Sequence, residues 1–309
     1  MTPSIRSTLH PLIRLHIVVA IWGLTGPLVA LIQLPATQVV TIRCVIAAFA
    51  CFLLLALKHD SLKVTGVFNH PGGLDYRVRL QWIGIGAILG IHWILLFVAV
   101  NVSNVSVAMV GLATTPLWTA LTDPLIQRKP FVPLQFVLGA VVVFGILLIF
   151  GDGAAVVGYG FSLAILSAIL ATVFSSLNTF YTFRFAPLQL TAWQLGAAAV
   201  VAAVSMPLTS WMGEVEKTLS WPSGQDWVLL ILLALVCTVY AYSEFVDLLK
   251  KLSVYTILLT NNLEPIYGIA IGALFFGDAE ELSWRFYAGA AVIIAAVGAE
   301  AITQKASDS

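Results

Sequence analysis

Residues 253–278 read SVYTILLTNNLEPIYGIAIGALFFGD. The stretch is long enough to cross a bilayer, which takes roughly 20 mostly apolar residues. Yet it carries Asn261, Asn262, a carboxylate at Glu264 and a proline at Pro265 in its middle. Charge at membrane depth is costly and marks function by default. Proline deletes a backbone donor and bends a helix.

Outward from this stretch the same apolar length recurs. The pattern predicts spans near 13–34, 37–57, 80–100, 104–126, 131–150, 158–181, 187–209, 226–248, 253–276 and 283–302. Pro35, Gly151-Asp152-Gly153, Pro187 and Gly277-Asp278 punctuate them. Connections are short except 58–79 and 210–225. The first apolar run is long enough to remain as a helix, where a cleavable leader needs a shorter one. Composition agrees: 60% of residues are hydrophobic and 10% charged, against about 25% charged in soluble domains. Only lipid accommodates that much apolar surface.

Charge sets the orientation. With the N-terminus in the cytoplasm and ten crossings, Arg6, Arg14, Lys58, Lys63, Arg77, Arg79, Arg128, Lys129, Arg184, Lys250, Lys251 and Lys305 face the cytoplasm. Lys217 and Arg285 alone face outward. This is a positive-inside bias, and it places both termini in the cytoplasm. The formal net charge of +0 suggests no nucleic-acid partner. Cys44, Cys51 and Cys237 lie inside apolar runs and are expected to pack as small apolar residues.

The chain also resembles itself. Residues 104–126 carry Ser106-Val107-Ala108 and then Thr115-Pro116-Leu117, where 253–276 carry Tyr255-Thr256-Ile257 and then Glu264-Pro265-Ile266. Leu138-Gly139-Ala140 answers to Ala288-Gly289-Ala290, Pro35 to Pro187, and Trp82 to Trp227. The expected architecture is an all-α membrane protein of ten transmembrane helices in two inverted five-helix repeats, residues 1–152 and 153–309. An odd helix count inverts the second repeat, and such repeats place a substrate site near the midplane between them. Pro116 and Pro265 are then candidate paired hinges, although proline is common in membrane helices.

His16 to Gly23 (HIVVAIWG), Asn101 to Ser106 (NVSNVS), Leu263-Glu264-Pro265-Ile266-Tyr267 and Phe275-Phe276-Gly277-Asp278 resemble the drug/metabolite transporter superfamily, of the EamA type with ten helices. The resemblance covers nearly the whole chain. It implies export of amino acids, related metabolites or drugs by alternating access, from the cell inner (plasma) membrane. Three features depart from the family: Asp278 stands where glutamate is usual, Gln127-Arg128-Lys129 replaces the acidic residue in the first repeat, and the 58–79 connection is long.

At 1.5 Å rise per residue, Arg43 lies about 12 Å from the outer face, and Glu264 and His92 about 16 Å from the inner face. Three ionisable groups on three helices thus share one level. Glu264 lies on one face with Asn261, Gly268 and Gly272, with Tyr267 one step round. It either binds a substrate ammonium or a transported proton, or it pairs with Arg43 or the hinge backbone. Its repeat counterpart is Thr115, and that of Arg43 is Leu195, so the repeats differ at this level. Arg43 can clamp a carboxylate with two donors. His92 suits a neutral core histidine better than a proton carrier. Trp22, with Gly23 and Gly26 beside it, and Trp118, on a stripe with Gly111, Thr115 and Thr122, are the aromatic rings most suited to a cavity. Trp82, Trp221, Trp227 and Trp284 are expected to anchor helix ends at the interface. Glu244 and Asp247 with Lys250 and Lys251 are expected to form a surface charge cluster.

The cavity set is therefore Trp22, Arg43, His92, Thr115, Trp118, Asn261, Glu264 and Tyr267. The expected partners are a small-molecule substrate, the lipid bilayer and a coupling proton, with no cofactor and no metal. No P-loop, HExxH motif or Ser/His/Asp set occurs, so an enzyme is not expected. A membrane-embedded enzyme and a channel are the alternatives.

Overall fold

The computed structural model describes residues 10–57, 76–150, 158–211, 220–276 and 283–307. Most of the 58–79 connection, the Gly151-Asp152-Gly153 turn, the acidic residues Glu214 and Glu216, and Asp278 lie outside the described residues. Among the described residues the chain forms ten helical rods. α1 runs Pro11–Gly23 and continues after Leu24 as Thr25–Ala30. α2 is Ala36–Leu57 and α3 is Tyr76–Val102. α4 is Val105–Leu112 continued by Thr115–Gln127. α5 is Pro133–Phe150, α6 Tyr159–Thr182 and α7 Pro187–Trp211. α8 has three parts: Gly224–Leu232, a π-helical stretch Leu233–Tyr240, and Ala241–Leu248. α9 is Val254–Thr260, a 3-10 turn Asn261–Leu263, and Glu264–Phe276. α10 is Trp284–Ser307. Nine of these rods are long and apolar enough to span a membrane. α9, which carries Asn261, Asn262 and Glu264 in its middle, is not among them.

Local chemistry sets the ends. Pro11, Pro133 and Pro187 open rods at the position where no backbone donor is needed. Ser223 and Asp226 form a reciprocal cap at the start of α8. Asn104 and Ser253 cap α4 and α9, each accepting from the backbone three residues on. α4 ends on Arg128 in the left-handed conformation, φ 55°.

Packing is largely between the two halves of the chain, and the main contacts between them have counterparts when the halves are exchanged. α2 packs on α7, and α5 on α10. α3 packs on α6 as α8 packs on α1, and α4 on α6 as α9 on α1. Glycine permits the closest crossings. A Cβ on Gly268 would lie 2.7 Å from the Gly23 carbonyl oxygen, and one on Gly145 3.0 Å from that of Gly289. Only hydrogen fits there. Gly23 therefore admits the α9 backbone rather than leaving room beside the Trp22 ring. Gly26, by contrast, faces open space.

One expected anchor is misplaced. Trp82 is fully buried, its ring edge-on to Phe185 at 4.7 Å and to Tyr181 at 6.4 Å. The turn between α6 and α7 covers it. Trp221 and Trp284 are exposed, as interfacial anchors should be. All three cysteines are buried and free, as packing residues would be.

Candidate functional site

The two broken rods meet at the centre of the bundle. In α4 the helix pauses at Ala113-Thr114, directly before Pro116. In α9 it pauses at Asn261–Leu263, directly before Glu264-Pro265. Each proline occupies the first turn of a new segment, where its missing N–H leaves no bond unmade. The Leu112 carbonyl, which Pro116 cannot reach, accepts from Thr115 Oγ1, the Asn261 carbonyl accepts from the Glu264 N–H, and neighbouring side chains add further bonds. Thr114 Oγ1 donates to the Gly111 carbonyl at 2.6 Å, and Asn262 Nδ2 donates to the Leu258 carbonyl at 3.1 Å. The prolines thus mark paired breaks, not bends within continuous helices.

A cavity of about 190 Å³ lies against both breaks. Six of the eight expected cavity residues line it: Trp22, Arg43, His92, Thr115, Asn261 and Glu264. Pro265 lines it too, and Pro116 does not. Trp118 is turned away, its Nε1 donating to Thr114 Oγ1 at 3.0 Å. Tyr267 also lies elsewhere, its hydroxyl 2.9 Å from His16 Nδ1 across the α1–α9 contact.

Arg43 is buried, with 5% of its surface exposed. Its guanidinium lies 4.4 Å over the Trp93 ring and 6.0 Å from Phe97, a cation–π arrangement that desolvation strengthens. Its Nε has no hydrogen-bond partner, and neither has Asn261 Oδ1. Arg43 and Glu264 make no contact ion pair within 4.0 Å, although both face the cavity and act on each other through space. A fixed cation and a fixed carboxylate therefore stand apart in one cavity.

His92 is pinned. Its Nδ1 lies 2.8 Å from both the carbonyl oxygen and Oγ of Ser167, whose hydroxyl also lies 2.9 Å from the His92 carbonyl. This ties α3 to α6. Thr115 spends its hydroxyl on the Leu112 carbonyl. Trp22 donates from Nε1 to the Cys237 carbonyl at 3.1 Å and lies 5.9 Å from the Phe245 ring. Cys237 sits in the π-helical stretch, where i→i+5 bonding reshapes the backbone, as is frequent at functional sites.

Several polar groups were not anticipated. Tyr242 lines the cavity and donates to Gln194 Oε1 at 2.6 Å, and Gln194 Nε2 donates to Asn178 Oδ1 at 2.6 Å. This buried network joins α6, α7 and α8. Amides scattered singly through three apolar runs gave no sign that they meet. Asp123 accepts from Ser176 Oγ at 2.5 Å and from Gln127. Arg14 joins Glu244 and Asp247 in a cluster buried at Arg14 and Glu244 and partly exposed at Asp247, where Lys250 and Lys251 were expected as their partners. Lys250 does reach Asp247, at 3.3 Å. No group of three or more His, Cys, Asp or Glu suited to a metal ion occurs among the described residues.

Comparison with known proteins adds the lineage. Among curated proteins, no sequence matches the chain. Twenty-five chains of solved structures match it. One, titled only as the crystal structure of a protein, superposes with TM-score 0.71 at 16% identity, covering 96% of this chain and 98% of that one. At that identity the likeness shows the fold alone. A family model, the EamA-like transporter family, matches twice, over residues 12–151 and 158–299. The two matches coincide with the two halves whose contacts exchange, and the chain belongs to the EamA-like transporter family.

Proposed function

We propose that this protein is a secondary transporter that exports a small amino-acid-like, metabolite-like or drug-like solute across the cell inner membrane by alternating access. All ten rods cross the bilayer in this reading, the two repeats are inverted, and both termini are cytoplasmic. The observation that carries it is the separation of Arg43 and Glu264 across one central cavity. A buried guanidinium with an unbonded Nε, and a carboxylate with no cation in contact, are both expensive unless a ligand completes them. A solute with an anionic group toward Arg43 and a cationic group toward Glu264 does so. Its body would lie against Trp22 and Phe245. Glu264 would also serve as the carrier of a coupling proton when the solute leaves.

The test is solute flux in proteoliposomes containing the full chain, with and without a pH gradient. A panel of zwitterionic, cationic and neutral solutes should show saturable flux for zwitterions first. Covalent conversion of a solute without flux would refute transport in favour of an enzyme. Unsaturable ion conductance would favour a channel.

A further inference from the structure

Below the cavity, toward the end of the bundle where α1 begins, the two repeats are joined by an ionic cluster. Arg14 on α1 donates from Nε and Nη2 to Glu244 Oε2 at 3.0 and 2.6 Å, and from Nη2 to Asp247 Oδ2 at 2.6 Å. Arg14 is 5% exposed and Glu244 1%. Glu244 precedes Phe245, which lines the cavity and stacks on Tyr242 at 5.6 Å. Arg14 lies two turns from Trp22, about 12 Å along α1. Along α1 from Arg14 toward Trp22 come Leu15 and Val18, buried in one apolar core with the cavity-lining Phe245. The order from the cavity outward is aromatic floor, apolar plug, ionic clasp.

The clasp has no counterpart. Applying the offset between Trp82 and Trp227 to Glu244 and Asp247 gives Ala99 and Val102 in α3. Applying the offset between the starts of α1 and α6 to Arg14 gives Ser162. That related contact is uncharged, and its neighbour Gly160 packs directly on Ser103 and the Ala99 carbonyl. One end of the bundle is thus closed by charge and the other contact by small residues.

A buried ion pair contributes little net stability, because the charges lose hydration when they meet. When the helices part into water each charge regains its hydration. The pair therefore holds one geometry closely and still releases it, unlike an apolar seal of the same area.

We infer that Arg14, with Glu244 and Asp247, is the gate that holds the cytoplasmic side of the cavity shut, setting how often the site opens to the cell interior. This rests on the orientation and alternating access proposed above. The residues act by positioning α1 against α8 and do not touch the solute.

Cys237 lines the cavity and is a native reporter. In the full chain with Cys44→Ala and Cys51→Ala, a membrane-impermeant maleimide is applied to right-side-out and to inside-out vesicles. Cys237 should be protected from the cytoplasmic face. Arg14→Ala should raise its labelling from that face by about tenfold or more, since a minor state is commonly populated at only 0.1–10%. The isosteric pair Glu244→Gln with Asp247→Asn should do the same, and Arg14→Lys should keep most of the protection. Unchanged labelling in the isosteric pair, inserted at normal levels, overturns the gate. So does an increase confined to Arg14→Ala, which would reflect lost packing. An increase at the opposite face overturns the orientation while leaving the clasp. Labelling that shifts as expected with no solute flux in any variant sinks the transporter reading and not the clasp.

Discussion

Arg43 and Glu264 are two charges held at membrane depth without each other's contact, and their surroundings say what each needs. The planar guanidinium stacks on Trp93, and an ammonium in its place would keep the charge but lose both the stacking and the forked donors. Arg43→Lys is therefore expected to lose most flux, nearly as much as Arg43→Ala, in proteoliposomes with insertion unchanged. Glu264→Gln should impair flux and remove its dependence on a pH gradient. Wild-type flux in that variant at every pH would place the coupling elsewhere. His92 behaves differently. His92→Leu removes the imidazole bonds to Ser167, whose hydroxyl keeps the backbone carbonyl of residue 92, and interhelical hydrogen bonds in membranes contribute on the order of 0.5–2 kcal/mol. Thermal unfolding in detergent should show that loss, with flux retained at moderate temperature. Arg43, Glu264 and His92 were legible in the sequence because a charged or polar group in an apolar run stands out one residue at a time. The Asn178–Gln194–Tyr242 network was not, because it exists only through three-dimensional proximity of three rods. Arg14 was missed for a related reason: near a helix start it reads as an interfacial cation, and only packing shows it buried.

The element that matters most is the break. Sequence matching paired Thr115-Pro116 with Glu264-Pro265, and the structure places an interruption before each proline. The sequence could not distinguish a bend from a break, since proline favours a helix start as readily as it disturbs a helix interior. The bonds at the break decide the matter, with Thr115 Oγ1 on the Leu112 carbonyl and the Glu264 N–H on that of Asn261. Beside the α9 break lies the Gly23–Gly268 crossing. A Cβ at Gly268 would meet backbone atoms of α1 well inside van der Waals contact. Gly268→Ala is therefore expected to push α1 and α9 apart, lowering the unfolding midpoint and slowing flux. Gly26→Ala, which adds a methyl in open space and improves helix propensity by roughly 1 kcal/mol, should be neutral or stabilising. Equal effects from the two would show that the crossing is not tight.

At the scale of the molecule the number of crossings turns on α9 alone. Among the described residues length and apolarity give nine spanning rods, and α9, with Asn261, Asn262 and Glu264 in its middle, is not one of them. Broken backbone at membrane depth is tolerated only where protein or a water-filled cavity surrounds it, and α9 meets that condition. It packs on α1 and α4 and lines the cavity through Asn261 and Glu264. In the proposed ten-crossing arrangement α9 runs the same depth as its counterpart α4. The basic residues do not decide between the two counts, since nine crossings would send Lys305 to the opposite face and bring Arg285 to the side of Arg14, leaving the bias unchanged. Reporters that fluoresce only in the cytoplasm, fused in turn before Met1 and after Ser309 of the full chain, are expected to be active at both ends. Activity at the N-terminal fusion alone would mean that α9 turns back within the membrane. It would also remove Glu264 from the path between the two faces, and with it the coupling role assigned to that carboxylate.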